Sequence, residues 1–231
     1  MAIRKKKLIE LSENILHSNN TAKMKRFHHL EFLNDQQKYA WDAFQNSDVM
    51  FLVGEAGTGK THLAIAFALH EIIEKTKSKI LLSRPVVEAG ESLGFLPGDI
   101  NEKVYPYMLP LYDCLEKMCG RNGDDTREYI NKKIEVAPLA YLRGRTFSSS
   151  ICILDEAQNC TSSQLKLFLT RLGTNSKMII TGDPSQSDLG KYPDLINIID
   201  KLKGLKGVSV ITFNEECIVR HPLVKHIVKL I

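Results

Sequence analysis

The octapeptide Gly54-Glu55-Ala56-Gly57-Thr58-Gly59-Lys60-Thr61 constrains the fold of this chain more than any other feature. It fits the pattern G-x-x-x-x-G-K-[ST] without a mismatch, and its surroundings are the ones that pattern requires. Val49-Met50-Phe51-Leu52-Val53 before it is an apolar run of strand length. His62-Leu63-Ala64-Ile65-Ala66-Phe67-Ala68-Leu69 after it is rich in helix formers. A strand, a glycine-rich turn and a helix in this order form a cradle, in which successive backbone N–H groups and the positive end of the helix surround a polyphosphate. Lys60 would add a point charge near the β- and γ-phosphates, and the Thr61 hydroxyl would ligate Mg²⁺. These residues imply a nucleoside triphosphate site.

The rest of the chain alternates short apolar runs with helical patterns. Lys79–Ser83, Ile134–Val136, Ser150–Leu154, Met178–Thr181 and Val208–Phe213 read as further strands. Asp35–Phe44 with Asn34 as its cap, Asp124–Lys133, Ser162–Leu172 and Leu195–Leu202 read as helices. Nearly continuous apolar strands between helices predict a mainly parallel sheet covered on both faces, an α/β three-layer domain of the P-loop NTPase class. Arg84–Leu111 carries Pro85, Gly90, Gly94, Pro97, Gly98, Pro106 and Pro110, and this density predicts shaped loops around short helical turns.

A length of 231 residues suggests one domain with appendages, here a basic arm over 1–30 and a single domain over 31–231. The net charge of +4 is mild, but Arg4, Lys5, Lys6, Lys7, Lys23, Lys25 and Arg26 crowd the arm. Such an arm is either a nucleic-acid contact or a solvated leader, with a short helix around Leu8–Leu16. The five cysteines form no C-x-x-C pair, and Cys152 lies inside an apolar strand. Neither a zinc site nor a disulfide framework is expected, which suits a reducing cytoplasm. No apolar run approaches membrane-spanning length, and no signal peptide is evident.

Two more motifs follow strands. Ser150–Leu154 would lift Asp155 and Glu156 to the carboxyl edge of the sheet, where ligands bind in open α/β folds. Asp155 is expected to hold the Mg²⁺ shell, through water, and Glu156 to orient or deprotonate the attacking water. Thr181-Gly182-Asp183-Pro184-Ser185-Gln186 would deliver Gln186 to the γ-phosphate; taken alone, it reads rather as a turn with a surface glutamine, and the two other motifs beside it favour the functional reading. Upstream, Gln37, with Gln36 as runner-up, offers an amide suited to the N6/N7 edge of adenine. Arg220, in Arg220-His221-Pro222, either stabilises charge during phosphoryl transfer or is a surface residue; the sequence does not choose.

Together these residues resemble the PhoH family of ATPases from about Leu33 to Ile231. The most selective portion runs from Ser83-Arg84-Pro85-Val86-Val87-Glu88-Ala89-Gly90-Glu91-Ser92-Leu93-Gly94 to Phe95-Leu96-Pro97-Gly98-Asp99. It continues through Glu102-Lys103, Tyr105-Pro106-Tyr107 and Pro110-Leu111-Tyr112-Asp113, and Val219–Val224 looks like the family's last motif. The resemblance implies a RecA-like core related to the first motor lobe of superfamily 1 helicases. On that comparison Asp155-Glu156 matches the DExx motif, Gly182–Gln186 the G-D-x-x-Q motif, and Leu33–Ala40 the adenine-reading segment. Arg84 matches a basic position that contacts a nucleic-acid strand.

The implied protein is a Mg²⁺-dependent ATPase that couples ATP hydrolysis to translocation, unwinding or remodelling of single-stranded RNA or DNA. About 200 core residues leave room for one lobe. The other half of the site is therefore expected from a neighbouring subunit in a head-to-tail homo-oligomer, a hexamer by resemblance, with Arg220 acting in cis or in trans; without such a neighbour catalysis would be weak. The competing reading is an ATP-gated module that binds nucleic acid or protein without motor activity. A small-molecule kinase lacks a recognisable acceptor site. Tyr105, Tyr107 and Tyr112 could stack on bases or pack internally.

Overall fold

The computed structural model describes residues 32–86, 100–119, 132–189, 193–214 and 217. The basic arm, the block Val87–Asp99, all but the end of the helix expected at Asp124–Lys133, and Arg220 with its motif lie outside these residues. Six strands form one sheet in the order β3-β2-β4-β5-β1-β6. They are β1 (Val49–Gly54), β2 (Lys79–Arg84), β3 (Ile134–Pro138), β4 (Ser150–Leu154), β5 (Lys177–Gly182) and β6 (Val208–Phe213). Every pairing is parallel. The helices are α1 (Asp35–Gln45), α2 (Lys60–Ile73), α3 (Ile100–Cys119), α4 (Ser162–Leu169) and α5 (Asp194–Leu202).

Period-2 alternation along each strand divides the core between the two faces of the sheet. Met50, Leu52, Ile80, Leu82, Ile151, Ile153 and Ile179 join a cluster with Phe44, Phe67 and Leu111, so α1, α2 and α3 cover that face. Phe51, Val53, Leu81, Cys152, Leu154, Met178 and Ile180 join Leu165, Phe168, Leu195 and Ile199, so α4 and α5 cover the other. This is the three-layer α/β/α arrangement predicted from the apolar runs.

Local chemistry sets the helix ends. Asn34 caps α1, its side chain accepting from the Gln37 N–H at 2.9 Å. Lys177 donates to the carbonyls of Phe44 and Gln45 at 2.6 and 3.0 Å, where a cation complements the helix C-terminus. Thr161 and Gln164 form a reciprocal capping box on α4.

One expectation is corrected. The proline-rich stretch that predicts loops and short turns runs into α3, a helix of 20 residues (Ile100–Cys119) with Pro106 and Pro110 inside it. Each proline removes one i→i−4 bond and costs about 3 kcal/mol in a helix interior. Both prolines are on the exposed side, where water can satisfy the freed carbonyls. Met108, Leu111 and Leu115 are buried on the opposite side. Burying them offsets the proline cost at roughly 1.5–3 kcal/mol per side chain.

At the β3 edge, Glu135 receives Arg145 in a two-pronged contact at 2.5 and 2.9 Å, and Lys79 at 2.5 Å. The Arg145 hydrogen bonds, with help from Lys79, hold the carboxyl at about 2 against the opposing effect of burial. A carboxyl depressed in the folded state adds stability above its unfolded value near 4.5, and that contribution disappears as pH falls through about 2. Part exposure limits the network to about 1 kcal/mol. Glu135→Gln is therefore expected to lower the melting temperature by about 2–4 °C at pH 7. The gap from wild type should narrow from pH 4.5 downward in thermal scans; an undiminished gap at pH 2 would reject this assignment.

Candidate active site

In a parallel sheet every carboxyl end lies on one edge, so the turns after β1, β2, β4 and β5 meet there. The registers align them: Val53 of β1 sits opposite Gly182 of β5, Leu154 of β4 opposite Ile180, and Ser83 of β2 opposite Leu154. A cleft of about 370 Å³ opens at this edge, bounded among others by Lys60, Thr61, Arg84, Asp155, Glu156 and Gln186.

The loop from Gly54 to Thr61 curls as its glycines allow. Gly59 has φ of 83° at the N-cap of α2, a left-handed conformation that glycine adopts at no steric cost. Among the described residues no side chain caps this helix start, which suits a phosphate acceptor there. Lys60 folds back across the loop, donating to the carbonyls of Gly54 and Glu55 at 2.7 and 2.8 Å. Thr58 is fully buried and donates to the Glu55 carbonyl at 2.8 Å, which ties the curl together.

Asp155, 4% exposed, is the hub. Its Oδ1 accepts from the Thr61 hydroxyl at 2.7 Å and from the Thr181 hydroxyl at 2.5 Å. Its own N–H donates to the Ser83 carbonyl at 2.9 Å, which continues the β2–β4 ladder into the site. A threonine hydroxyl beside a carboxylate is a hard oxygen donor set. It fits Mg²⁺, which takes few protein ligands and keeps the rest of its octahedron for water and phosphate. The Asp183 side chain is 4% exposed at the wall of the same cleft. Its Oδ2 is buried and has no hydrogen-bond partner among the described residues. Thr181 and Asp183 are site residues that the sequence reading did not single out. The signal was their place at the carboxyl end of β5 and in the turn that follows it.

Glu156 follows in a left-handed conformation, φ 55° and ψ 40°, uncommon for a residue with a Cβ. Arg84 donates to its Oε1 at 2.8 Å, and Gln158 donates to its Oε2 at 2.5 Å. Arg84, expected on a nucleic-acid strand, thus ends β2 paired with the expected water-activating carboxylate. Gln186 is exposed on the short helical turn Pro184–Gln186 and borders the cleft. On the α3 wall, burial, with Asp155 adding to it, pushes the Cys114 thiol up to about 11, so it stays protonated near neutral pH.

The two candidate adenine readers part company. Gln37 is 4% exposed, and its Oε1 accepts from the Leu33 N–H at 2.8 Å. Its Nε2 lies 3.7 Å from where a Cβ on Gly59 would stand, so the amide abuts the phosphate loop. Gln36 turns instead to β6, donating to the Thr212 carbonyl and accepting from the Cys217 thiol.

Comparison with known proteins identifies the family. The family model described as PhoH-like protein matches residues 29–231. The chain belongs to the PhoH family. A PhoH-like protein of Bacillus subtilis is 52% identical over 190 residues, covering 81% of this chain and 59% of the relative. Protein PhoH of Escherichia coli is 42% identical over 196 residues, covering 82% of this chain and 54% of the relative. The chain thus spans between half and two thirds of the length of these curated relatives. Among solved structures, the large terminase of a thermophilic bacteriophage aligns with a TM-score of 0.52 at 11% identity. That alignment covers 86% of this chain and 50% of the terminase, and it supports the fold alone. The PhoH resemblance read from the motifs is borne out, and with it the RecA-like P-loop fold. Among the described residues, no helix is long and apolar enough to cross a membrane.

Proposed function

We propose that this PhoH-family chain is a Mg²⁺-dependent ATPase of the cytoplasm whose turnover drives translocation, unwinding or remodelling of single-stranded RNA or DNA. The observation that carries the reading is the 2.7 Å contact between Thr61 and Asp155, which brings the phosphate loop and the carboxylate edge onto one prospective metal. Bound Mg²⁺ would supply charge neutralisation on the phosphate oxygens. Lys60 binds the β- and γ-phosphates, Thr61 and Asp155 hold the metal shell, and Glu156 takes the proton of the attacking water. Gln186 reads the γ-phosphate, and Gln37 reads adenine. Arg220 completes the charge around the transferred group, from its own subunit or from a neighbour in a head-to-tail ring, by preference a hexamer.

Phosphate release should require Mg²⁺, stop with EDTA, and rise when poly(U) or poly(dT) is added. No release of phosphate under any of these conditions would overturn the ATPase reading. Hydrolysis that no single strand alters would favour the ATP-gated binding module. Sedimentation with and without a non-hydrolysable ATP analogue tests the ring.

Arg84 gives the nucleic-acid part a specific test. Its side chain is 20% exposed and already engages Glu156, so a strand phosphate that binds Arg84 competes for the fork that holds the carboxylate. Arg84→Ala is expected to remove strand stimulation of turnover. It should also reduce the slope of log affinity against log salt by about 1, the mark of one lost phosphate contact. Anisotropy titrations at several salt concentrations measure the slope; an unchanged slope would take Arg84 out of the strand path.

A further inference from the structure

We infer that Gln158 is a positioning residue for hydrolysis, transmitting the state of the Gly182–Gln186 turn to the carboxylate of Glu156. The inference rests on the proposed role of Glu156. Gln158 is 1% exposed, and both ends of its amide are committed. Nε2 donates to Glu156 Oε2 at 2.5 Å, while Oε1 accepts from the Asp183 N–H at 3.0 Å. The orientation of the amide is fixed by its neighbours, because an ionised carboxylate only accepts and a backbone N–H only donates. Two features make this bridge possible. The left-handed turn at Glu156 brings Gln158 back alongside it. Gly182 lets the β5 turn approach, since a Cβ there would stand 3.1 Å from Gln158 Oε1 and 2.6 Å from a Leu195 methyl. The Ser187 hydroxyl adds a third tie, donating to the Gln158 carbonyl at 3.1 Å.

The consequence is mechanical. Gln186 borders the cleft on the same turn as Asp183, whose N–H is held by this amide. A shift of that turn when Gln186 meets the γ-phosphate moves the amide, and the amide moves Oε2 of Glu156. Misplacing a reacting group by about 1 Å costs on the order of a hundredfold in rate. Gln158 touches neither nucleotide nor water in this scheme; it acts through Glu156.

The test is a double-mutant cycle read by single-turnover ATP hydrolysis. Gln158→Leu removes both bonds. Gln158→Glu keeps an acceptor for the Asp183 N–H but replaces the donor to Glu156. Both should lower the hydrolysis rate about ten- to a hundredfold, with affinity for a fluorescent ATP analogue within twofold of wild type. In a Glu156→Gln background, Gln158→Leu should cost less than a further twofold, because its effect is routed through the missing carboxylate. Weakened analogue binding, or an undiminished loss in that background, marks Gln158 as merely structural and overturns the inference. Should Glu156→Gln alone turn over ATP at the wild-type rate, the reading of Glu156 fails and the inference falls with it. A normal rate in both Gln158 variants overturns the inference alone.

Discussion

Lys60→Ala is expected to abolish ATP turnover, by at least about a thousandfold, and to weaken ATP binding. Removing one preorganised donor at a site of developing charge costs on the order of 10²–10³ in rate. Lys60 adds a full charge at a position only 9% exposed, where screening by water is small. The side chain also spans the loop through the carbonyls of Gly54 and Glu55, so alanine leaves two acceptors facing the space the phosphates would fill. Both effects act in the same direction. Phosphate release at saturating Mg²⁺-ATP, alongside a thermal melt to establish folding, measures the outcome. Turnover within tenfold of wild type in a folded variant would remove the phosphate assignment.

Glu156→Gln should separate binding from chemistry. The amide keeps the shape of the side chain and can still accept from Arg84, but it cannot take a proton from water. General-base catalysis contributes roughly 10²–10⁴-fold, and a loss of that size is expected with ATP affinity little changed. Such a variant would accumulate the ATP-bound state, which a filter-binding assay with labelled ATP detects. A parallel loss of affinity would mean that the carboxylate mainly supports the loop rather than the water.

Much of the fold was legible because its elements carry strong local signals. The strands after Val49, Lys79, Ser150 and Met178 are nearly unbroken apolar runs, and each begins within a residue of the reading. Asn34 announced α1 through its capping side chain, as observed. The helix α3 was not legible, because proline counts report local cost while the compensation comes from Met108, Leu111 and Leu115 packing onto one face of the sheet. The candidate site divides in the same way. The strand-end motifs named Lys60, Thr61, Asp155 and Glu156, because a parallel sheet places every such turn on one edge. The contacts of Arg84 and Gln158 with Glu156 stayed hidden, since they depend on a left-handed turn and on which neighbouring strand lies adjacent. Neither is written in the residues themselves.

The two threonine hydroxyls on Asp155 have a thermodynamic consequence. The carboxylate is already immobilised before any ligand arrives, so its rotamer entropy is surrendered during folding rather than at association. Exchanging the Thr61 hydroxyl for a divalent ion then requires only a local change of partner. Calorimetry should accordingly record Mg²⁺-nucleotide capture with a heat-capacity change too small for a disordered segment ordering around it.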